Sequence, residues 1–347
     1  MGKKIWLWGA AFALLAAPVY GGSVADFYRG RVIRVVVGYG PGGATDTSAR
    51  LIGKFLAKHI PGNPTIVIQN KPGGGSMLAA NTVYHSEPKD GTVIGMFSSD
   101  LVLKQAWGAP GVRFDAEKVQ WIASSFDTSA MCAVRTDAGV ASFEDILGGK
   151  GKELVFSSFG KGGLSHVPAV VLNTVFGTKF KVVTGYRGGA NQRLAVKNGE
   201  VQGFCTTFAS VAANERPMFE GKANCCKMII IAGSKTGFHR FLKGVPAAEK
   251  LAQKLGKSKN NLAMLRAMNA PNRISLPVIM APGVPKDRVQ AIRKAYEKAY
   301  KDPGLRKLAK KTGVDLQPKI GNEVKRVVDE LLQTPRPVLG KLKELLL

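Results

Sequence analysis

The stretch Val32-Ile-Arg-Val-Val-Val-Gly-Tyr-Gly-Pro-Gly-Gly-Ala-Thr-Asp46 carries a strand, a glycine turn and the first turn of a helix in direct succession. Val32–Val37 is rich in β-branched residues, which fit a pleated, buried surface. Gly38 ends the run. Beyond Asp46, the residues Ala49, Ile52, Phe55, Leu56 and Ile60 recur at the three-to-four spacing of one helical face, and Pro61-Gly-Asn-Pro64 stops them. Working outward, Thr65–Ile68 reads as a second strand, Pro72–Gly75 as a loop, Met77–Tyr84 as a short helix and Thr92–Phe97 as a third strand. Repeated strand–helix alternation predicts an α/β fold, with parallel sheet covered by helices on both faces.

The pattern then restarts. Met131–Arg135, Glu153–Ser158, Lys179–Gly185, Val201–Thr207 and Lys227–Ala232 read as strands, with helices over Ser165–Val175 and Ala190–Asn198. A further strand is expected over Ile274–Ala281, and almost unbroken helix from Lys286 onward, with turns at Asp302-Pro-Gly304 and Gly321. Breaks near Trp121–Asp127 and Ala232–Lys235 predict two crossings between two lobes, one holding residues 26–124 plus 233–347 and the other 125–232. Two crossings make a hinge, and the cleft between lobes is where a small ligand sits. The length of 347 residues suits that division, since domains run to about 100–200 residues.

The first residues have the layout of a secretory signal peptide, assigned here to residues 1–25: Lys3 and Lys4, an uncharged apolar run Ile5–Ala17, then small residues after Pro18. Cleavage after Ala25, with Ser23 at −3, or after Gly21, with Val19 at −3, both satisfy the small-residue rule. The apolar run is shorter than the roughly 18–20 residues that a membrane span needs. The mature chain is therefore expected to be soluble, monomeric and periplasmic.

Lys and Arg number 50 against 24 Asp and Glu, a formal charge of +26 that favours anionic guests. The basic residues are spread along the chain and do not alternate with aromatics, which argues against nucleic acid. Cys132, Cys205, Cys225 and Cys226 form no C-x-x-C pair, and no histidine spacing completes a zinc site, so no metal or other cofactor is expected. In an oxidising compartment Cys205 with Cys225 or Cys226 is the first candidate disulfide, with buried free thiols as the alternative.

Tyr39-Gly-Pro-Gly-Gly-Ala-Thr-Asp46 joins a strand to a helix. Such turns lie at the carboxyl end of a parallel sheet, where ligands bind in open α/β folds. The first helical N–H groups have no partner within the helix, and with the positive end of the dipole they attract an anion. The loop is neither a Walker loop nor a dinucleotide fingerprint, since it lacks Gly-Lys-Ser/Thr and G-x-G-x-x-G. Asp46 would repel a bound carboxylate, so its expected work is to accept N–H groups within the loop, to hold a bridging water, or to complement the helix dipole. Phe156-Ser-Ser-Phe-Gly-Lys-Gly-Gly-Leu-Ser-His166 repeats the design in the second lobe, with Ser158 and Ser165 as donors. His166 reads as a first-turn residue packed between loop and helix, because no nucleophile partner for it is found. No G-x-S-x-G elbow is present either, so an enzyme is the weaker reading.

Taken in order, these segments resemble the solute receptors of tripartite tricarboxylate transporters, the Bug family. The resemblance rests on Arg31–Val37 with Pro41–Asp46, Ile66–Gly75, Pro88–Gly95, Gly160–His166, Tyr186–Gly189 and Gly199–Gln202. It implies a type II periplasmic-binding-protein-like fold of two α/β lobes closing on a small organic acid, and integral membrane permease subunits as partners. Carried over, the ligand-binding set is Tyr39, Gly42, Gly43, Thr45 and Asp46 against Ser158, Gly163, Leu164, Ser165 and His166, with Ser98 and Ser99 lining the pocket. Two departures stand out. Gly38-Tyr39-Gly40 replaces the family's proline and large apolar residue, and Thr206 stands where many members carry an aspartate after the fourth strand of the second lobe. Thr206 is expected to relax selection against a second negative group, or for an amine.

Overall fold

The structure is a computed structural model that describes residues 23–42, 44–158, 160–186, 189–211, 215–221, 224–233, 242–311 and 316–346. The strands are β1 (Val32–Val37), β2 (Thr65–Asn70), β3 (Val93–Met96), β4 (Gln120–Phe126), β5 (Ala130–Arg135), β6 (Leu154–Ser157), β7 (Phe180–Val183), β8 (Gly203–Thr207), β9 (Cys226–Ile231), β10 (Ser275–Met280) and β11 (Lys319–Ile320). The helices of the first half are α1 (Val24–Tyr28), α2 (Ala44–Leu56), α3 (Met77–His85), α4 (Asp100–Ala106), α5 (Val167–Phe176), α6 (Gly189–Lys197) and α7 (Phe208–Ser210). Those of the second half are α8 (Ala248–Lys254), α9 (Lys259–Asn269), α10 (Lys286–Lys301), α11 (Pro303–Lys311), α12 (Asn322–Leu332) and α13 (Arg336–Leu346).

They build two sheets, ordered β11-β4-β10-β3-β1-β2 and β7-β6-β8-β5-β9. β1, β2 and β3 are mutually parallel, as are β6, β7 and β8, so the strand–helix units sit where the alternation predicts them. Both sheets are mixed: β10 runs against β3 and β4, and β5 runs against β8 and β9. Alternate residues of β1 enter different cores. Ile33, Val35 and Val37 pack with Ile52 and Leu56 of α2 and Ile292 and Tyr296 of α10, whereas Val36 faces the opposite core. Ile52 is 1% exposed, a burial that contributes about 1.5–3 kcal/mol.

The stretch Trp121–Asp127, read from sequence as a break between lobes, is a strand up to Phe126. β4 lies inside the first sheet, between β10 and β11. Ser124 and Ser125 interrupt its apolar run, yet both are fully buried, and the Ser125 hydroxyl lies 2.9 Å from that of Tyr300. The crossing follows at Asp127–Ser129. After β9 the chain does not return at once: α8 packs on α9, and α9 packs on α5 of the second sheet's layer before the chain rejoins the first sheet at β10. α12 covers α4 and β4, and α13 goes back to α5 and α9. One apolar core accordingly runs from Val36 through Cys132 and Leu172 to Leu342.

The disulfide differs from the expected pairing. Cys132 bonds to Cys205, and Cys225 and Cys226 are free thiols with their Sγ atoms 3.5 Å apart. The reason is register: Cys132 of β5 and Cys205 of β8 stand directly opposite each other in the antiparallel ladder. Cys226 instead faces Arg135 across β5 and β9.

Most of the segment expected to be a signal peptide, residues 1–22, lies outside the described residues. Its expected end at Ala25 falls inside α1. Ser23 caps that helix at the Asp26 N–H, and Tyr28 is fully buried with its hydroxyl donating to the Gly91 carbonyl at 3.1 Å. Among the described residues no helix is long and apolar enough to cross a membrane.

Candidate ligand site at the carboxyl edges of the two sheets

The topology turns the two carboxyl edges toward each other. β4 runs antiparallel to β10, which runs antiparallel to β3, so β4 leaves the first sheet at the edge where β3 delivers Ser98 and Ser99. β5 enters opposite the end of β8, with Ala130 paired to Thr207. Only Asp127, Thr128 and Ser129 lie between Phe126 and Ala130, a reach of at most about 14 Å for extended chain. The crossing is pinned from both sides. The Thr128 N–H donates to the Asn272 carbonyl at 3.0 Å, the Phe208 N–H donates to the Ser129 carbonyl at 3.0 Å, and Lys319 Nζ holds Asp127 at 2.5 Å.

On the first edge, Asp46 organises the loop after β1. Its carboxylate is 2% exposed and accepts the Gly42 N–H at 2.9 Å, Arg50 Nε at 3.0 Å and Asn70 Nδ2 at 2.9 Å. The same Asn70 nitrogen donates to the Tyr39 carbonyl at 2.9 Å, which ties the ends of β1 and β2 together. The Arg50 hydrogen bond, with help from Gly42 and Asn70, lowers the Asp46 pKa to about 2 against the cost of burial. This is the loop-holding work expected of Asp46, and the Gly42 N–H is thereby already used. Gly42 sits at φ +76°, the left-handed region that a side chain resists. Thr45 is buried beside it, and Gly43 lies outside the described residues. Burial and the nearby Asp100 push the Tyr39 hydroxyl up to about 12, while Ser98 and Ser76 bond to it and pull the other way. Ser98 and Ser99 are themselves buried.

On the second edge, Ser158 and Ser165 meet hydroxyl to hydroxyl at 3.0 Å, and both are buried. Gly162 adopts φ +68°, echoing Gly42 on the facing edge. The His166 N–H donates to the Gly163 carbonyl at 2.9 Å, and the Gly162 N–H lies 3.5 Å from His166 Nδ1. His166 is 6% exposed, and burial together with Lys161 lowers its pKa. The imidazole thus lies against its own loop. Gly163 and Leu164 are half-buried. Among the described residues no atom lies within 4 Å of where a Cβ would project at Gly42, Gly160 or Gly162, so open space begins there.

Residues 49–222 match the sequence model described as the tripartite tricarboxylate transporter family receptor. The chain belongs to this family. A UPF0065 protein of Bordetella pertussis is 30% identical over 208 residues, covering 58% of this chain and 62% of that relative's length. In fold the receptor is similar to MatC of Rhodopseudomonas palustris with bound malate, at TM-score 0.61 and 19% identity over 91% of this chain and 99% of that one. It is also similar to Rpa4515 of the same organism with adipate, at TM-score 0.66 and 18% identity over 90% and 97% of the two chains. The architecture is the type II periplasmic-binding-protein fold.

Thr206 has an unexpected neighbour in this family receptor. Its Oγ1 donates to Oε1 of Glu215 at 3.2 Å, and Ser210 Oγ donates to the same oxygen at 2.7 Å. An acid thus stands beside the position where the sequence reading found one missing. Nothing in the sequence pattern marks Glu215, because the contact is made only by the fold. Asn70 was within reach, lying in the Ile66–Gly75 stretch, and so was Arg50, four residues after Asp46 on one helical face. A small void lined by Ala80, Phe97, Leu101, Phe114 and Trp121 touches this edge only through Ser98, and it is an apolar packing defect with room for about one water. No cluster of metal-ligating side chains occurs among the described residues.

Proposed function

We propose that the protein is an extracytoplasmic solute-binding receptor. It captures a small organic acid between its two sheet edges and delivers it to integral membrane permease subunits of a tripartite tricarboxylate-type transporter. The observation that carries this reading is the three-residue crossing Asp127–Ser129, which joins the carboxyl edge of one sheet to that of the other with a glycine loop opening on each side. The first turns of α2 and α5 bring helix N-termini to those loops, and the Ser158–Ser165 pair adds hydroxyls. The formal charge of +26 steers anions toward such a cleft. Malate in one structural neighbour and adipate in another are guests of this class.

On this reading the first lobe is the β11-to-β2 sheet with its helices, and the second is the β7-to-β9 sheet with α8, α9 and α13 packed on it. Ser158, Gly163, Leu164, Ser165 and His166 face Tyr39, Gly42, Thr45 and Asp46, with Ser98, Ser99 and Thr206 lining the space between, and Gly43 joins the proposed set by its place in the sequence alone. The protein catalyses no reaction, uses no cofactor, acts as a monomer and reaches the periplasm behind a cleaved leader.

A thermal-shift screen of the mature protein against small mono- and dicarboxylates tests this, since a guest that binds only the folded state raises the melting temperature. At least one acid should stabilise the protein, and Ser165→Ala should weaken that stabilisation. A screen without any shift, or turnover of the bound acid, would sink the receptor reading.

A further inference from the structure

The second sheet carries a pair of thiols at the edge away from the ligand loops. β5 runs from Ala130, opposite Thr207 at the ligand edge, to Arg135, which faces Cys226 of β9. That is about 17 Å along the strand. Consecutive side chains of a continuous strand point to opposite faces. β9, however, starts only at Cys226, and Cys225 is held outside it. The Cys225 N–H donates to the Met218 carbonyl at 3.1 Å, and its own carbonyl accepts the Thr136 N–H at 2.9 Å. The two Sγ atoms stand 3.5 Å apart. Cys226 is buried in the same apolar core as Met218 and Phe219, whereas Cys225 is half-buried next to the exposed Asn224.

The spacing selects the chemistry. A disulfide would need the sulfurs to close to about 2.05 Å and an oxidant to take up two electrons. Two bonds of about 2.3 Å, the length from a thiolate to zinc, would join sulfurs 3.5 Å apart at an angle of about 100°. That angle is below the tetrahedral one, as a trivalent centre with a lone pair requires. A structural zinc ion takes four ligands, and among the described residues no metal-ligating group of three or more His, Cys, Asp or Glu occurs. Two sulfurs do complete the shell of a trivalent arsenic that already carries one carbon. Burial acts in the same direction, since it disfavours a free thiolate at Cys226 and the arsenic dithiolate is neutral.

We propose that Cys225 and Cys226 form a modification site that captures a monosubstituted trivalent arsenical as a cyclic dithiolate. The reagent R–As(OH)2 loses both As–O bonds and gains two As–S bonds, and the thiol protons leave with the hydroxyls as two waters. No electron is transferred. Cys225, the more accessible thiol, bonds first, and Cys226 then closes the ring. The capture is independent of the acid guest and of the receptor reading.

The test uses phenylarsine oxide, which hydrates to the dihydroxide, and the mature protein without reductant. Mass spectrometry should find one arsenical per chain, and the reactive thiols counted after unfolding should fall from two to none. Dimercaptopropanol should strip the adduct, whereas mercaptoethanol at the same thiol concentration should not, because two-point attachment gains about 100- to 10,000-fold over one. Cys225→Ser and Cys226→Ser should each lose affinity by about that factor. Wild type that takes up no arsenical, takes up two, or shows no reactive thiol before treatment overturns the proposal. Release by mercaptoethanol, or a folded single variant that binds as tightly as wild type, overturns it as well. Should a variant not fold, the wild-type stoichiometry and the stripping pattern decide.

Discussion

Replacing Asp46 by asparagine should cost the protein stability in a way that depends on pH, and the sign follows from the charges around it. The carboxylate is 2% exposed and accepts from Gly42, Arg50 and Asn70, and its pKa is lowered to about 2. An aspartate in the unfolded chain titrates near 3.9. A shift of that size corresponds to roughly 2.6 kcal/mol at neutral pH. Arg50, the largest cause, has a side chain 49% exposed, so solvent screens part of that gain and about 1–2 kcal/mol is the fairer expectation. Because the folded-state value lies below the unfolded one, the contribution is complete above the unfolded pKa and disappears as pH falls through the folded pKa. Urea unfolding should therefore show Asp46→Asn less stable than wild type by about 1–2 kcal/mol at neutral pH, with the gap narrowing as pH drops below about 4. A gap of constant size down to acid pH would refute the electrostatic account and leave only lost packing.

Other expectations follow from the same geometry. Cys132→Ala with Cys205→Ala should lower stability by about 2–4 kcal/mol in denaturant unfolding, because the bridge closes a long loop. Thiol titration of the unfolded wild type should find Cys225 and Cys226 alone reactive, and four reactive thiols would remove the bridge. Gly42→Ala should cost about 1–2 kcal/mol at φ +76° and weaken acid binding, and an unchanged melting temperature would contradict the left-handed turn. Mass spectrometry of the exported protein should find Gly22 as its first residue, since Ser23 caps α1 and Val24 packs on the core. A mature chain starting at Asp26 would show that cap to be dispensable.

Much of the strand–helix frame around the two loops was legible because it is decided locally. The β-branched run before Gly38 and the helical spacing after Asp46 are decided by neighbours in sequence, and glycine stands at Gly42 and Gly162, where the structure adopts positive φ. His166 and Asp46 could be assigned to their loops for the same reason, since each bonds within four residues of itself. β4 was not legible: two serines break its apolar run, and only burial between β10 and β11 makes Gln120–Phe126 a strand.

The remaining features were decided by packing. The sequence by itself determined an α/β chain with two anion-suited strand–helix loops, because periodicity and turn chemistry act over a few residues. Only the tertiary structure decided that Cys132 meets Cys205, that α9 and α13 lie on the second sheet's layer, and that Glu215 stands beside Thr206. Those contacts depend on strand register and on how the helices cover the sheets, and both are fixed by the core as a whole rather than by any local stretch of chain.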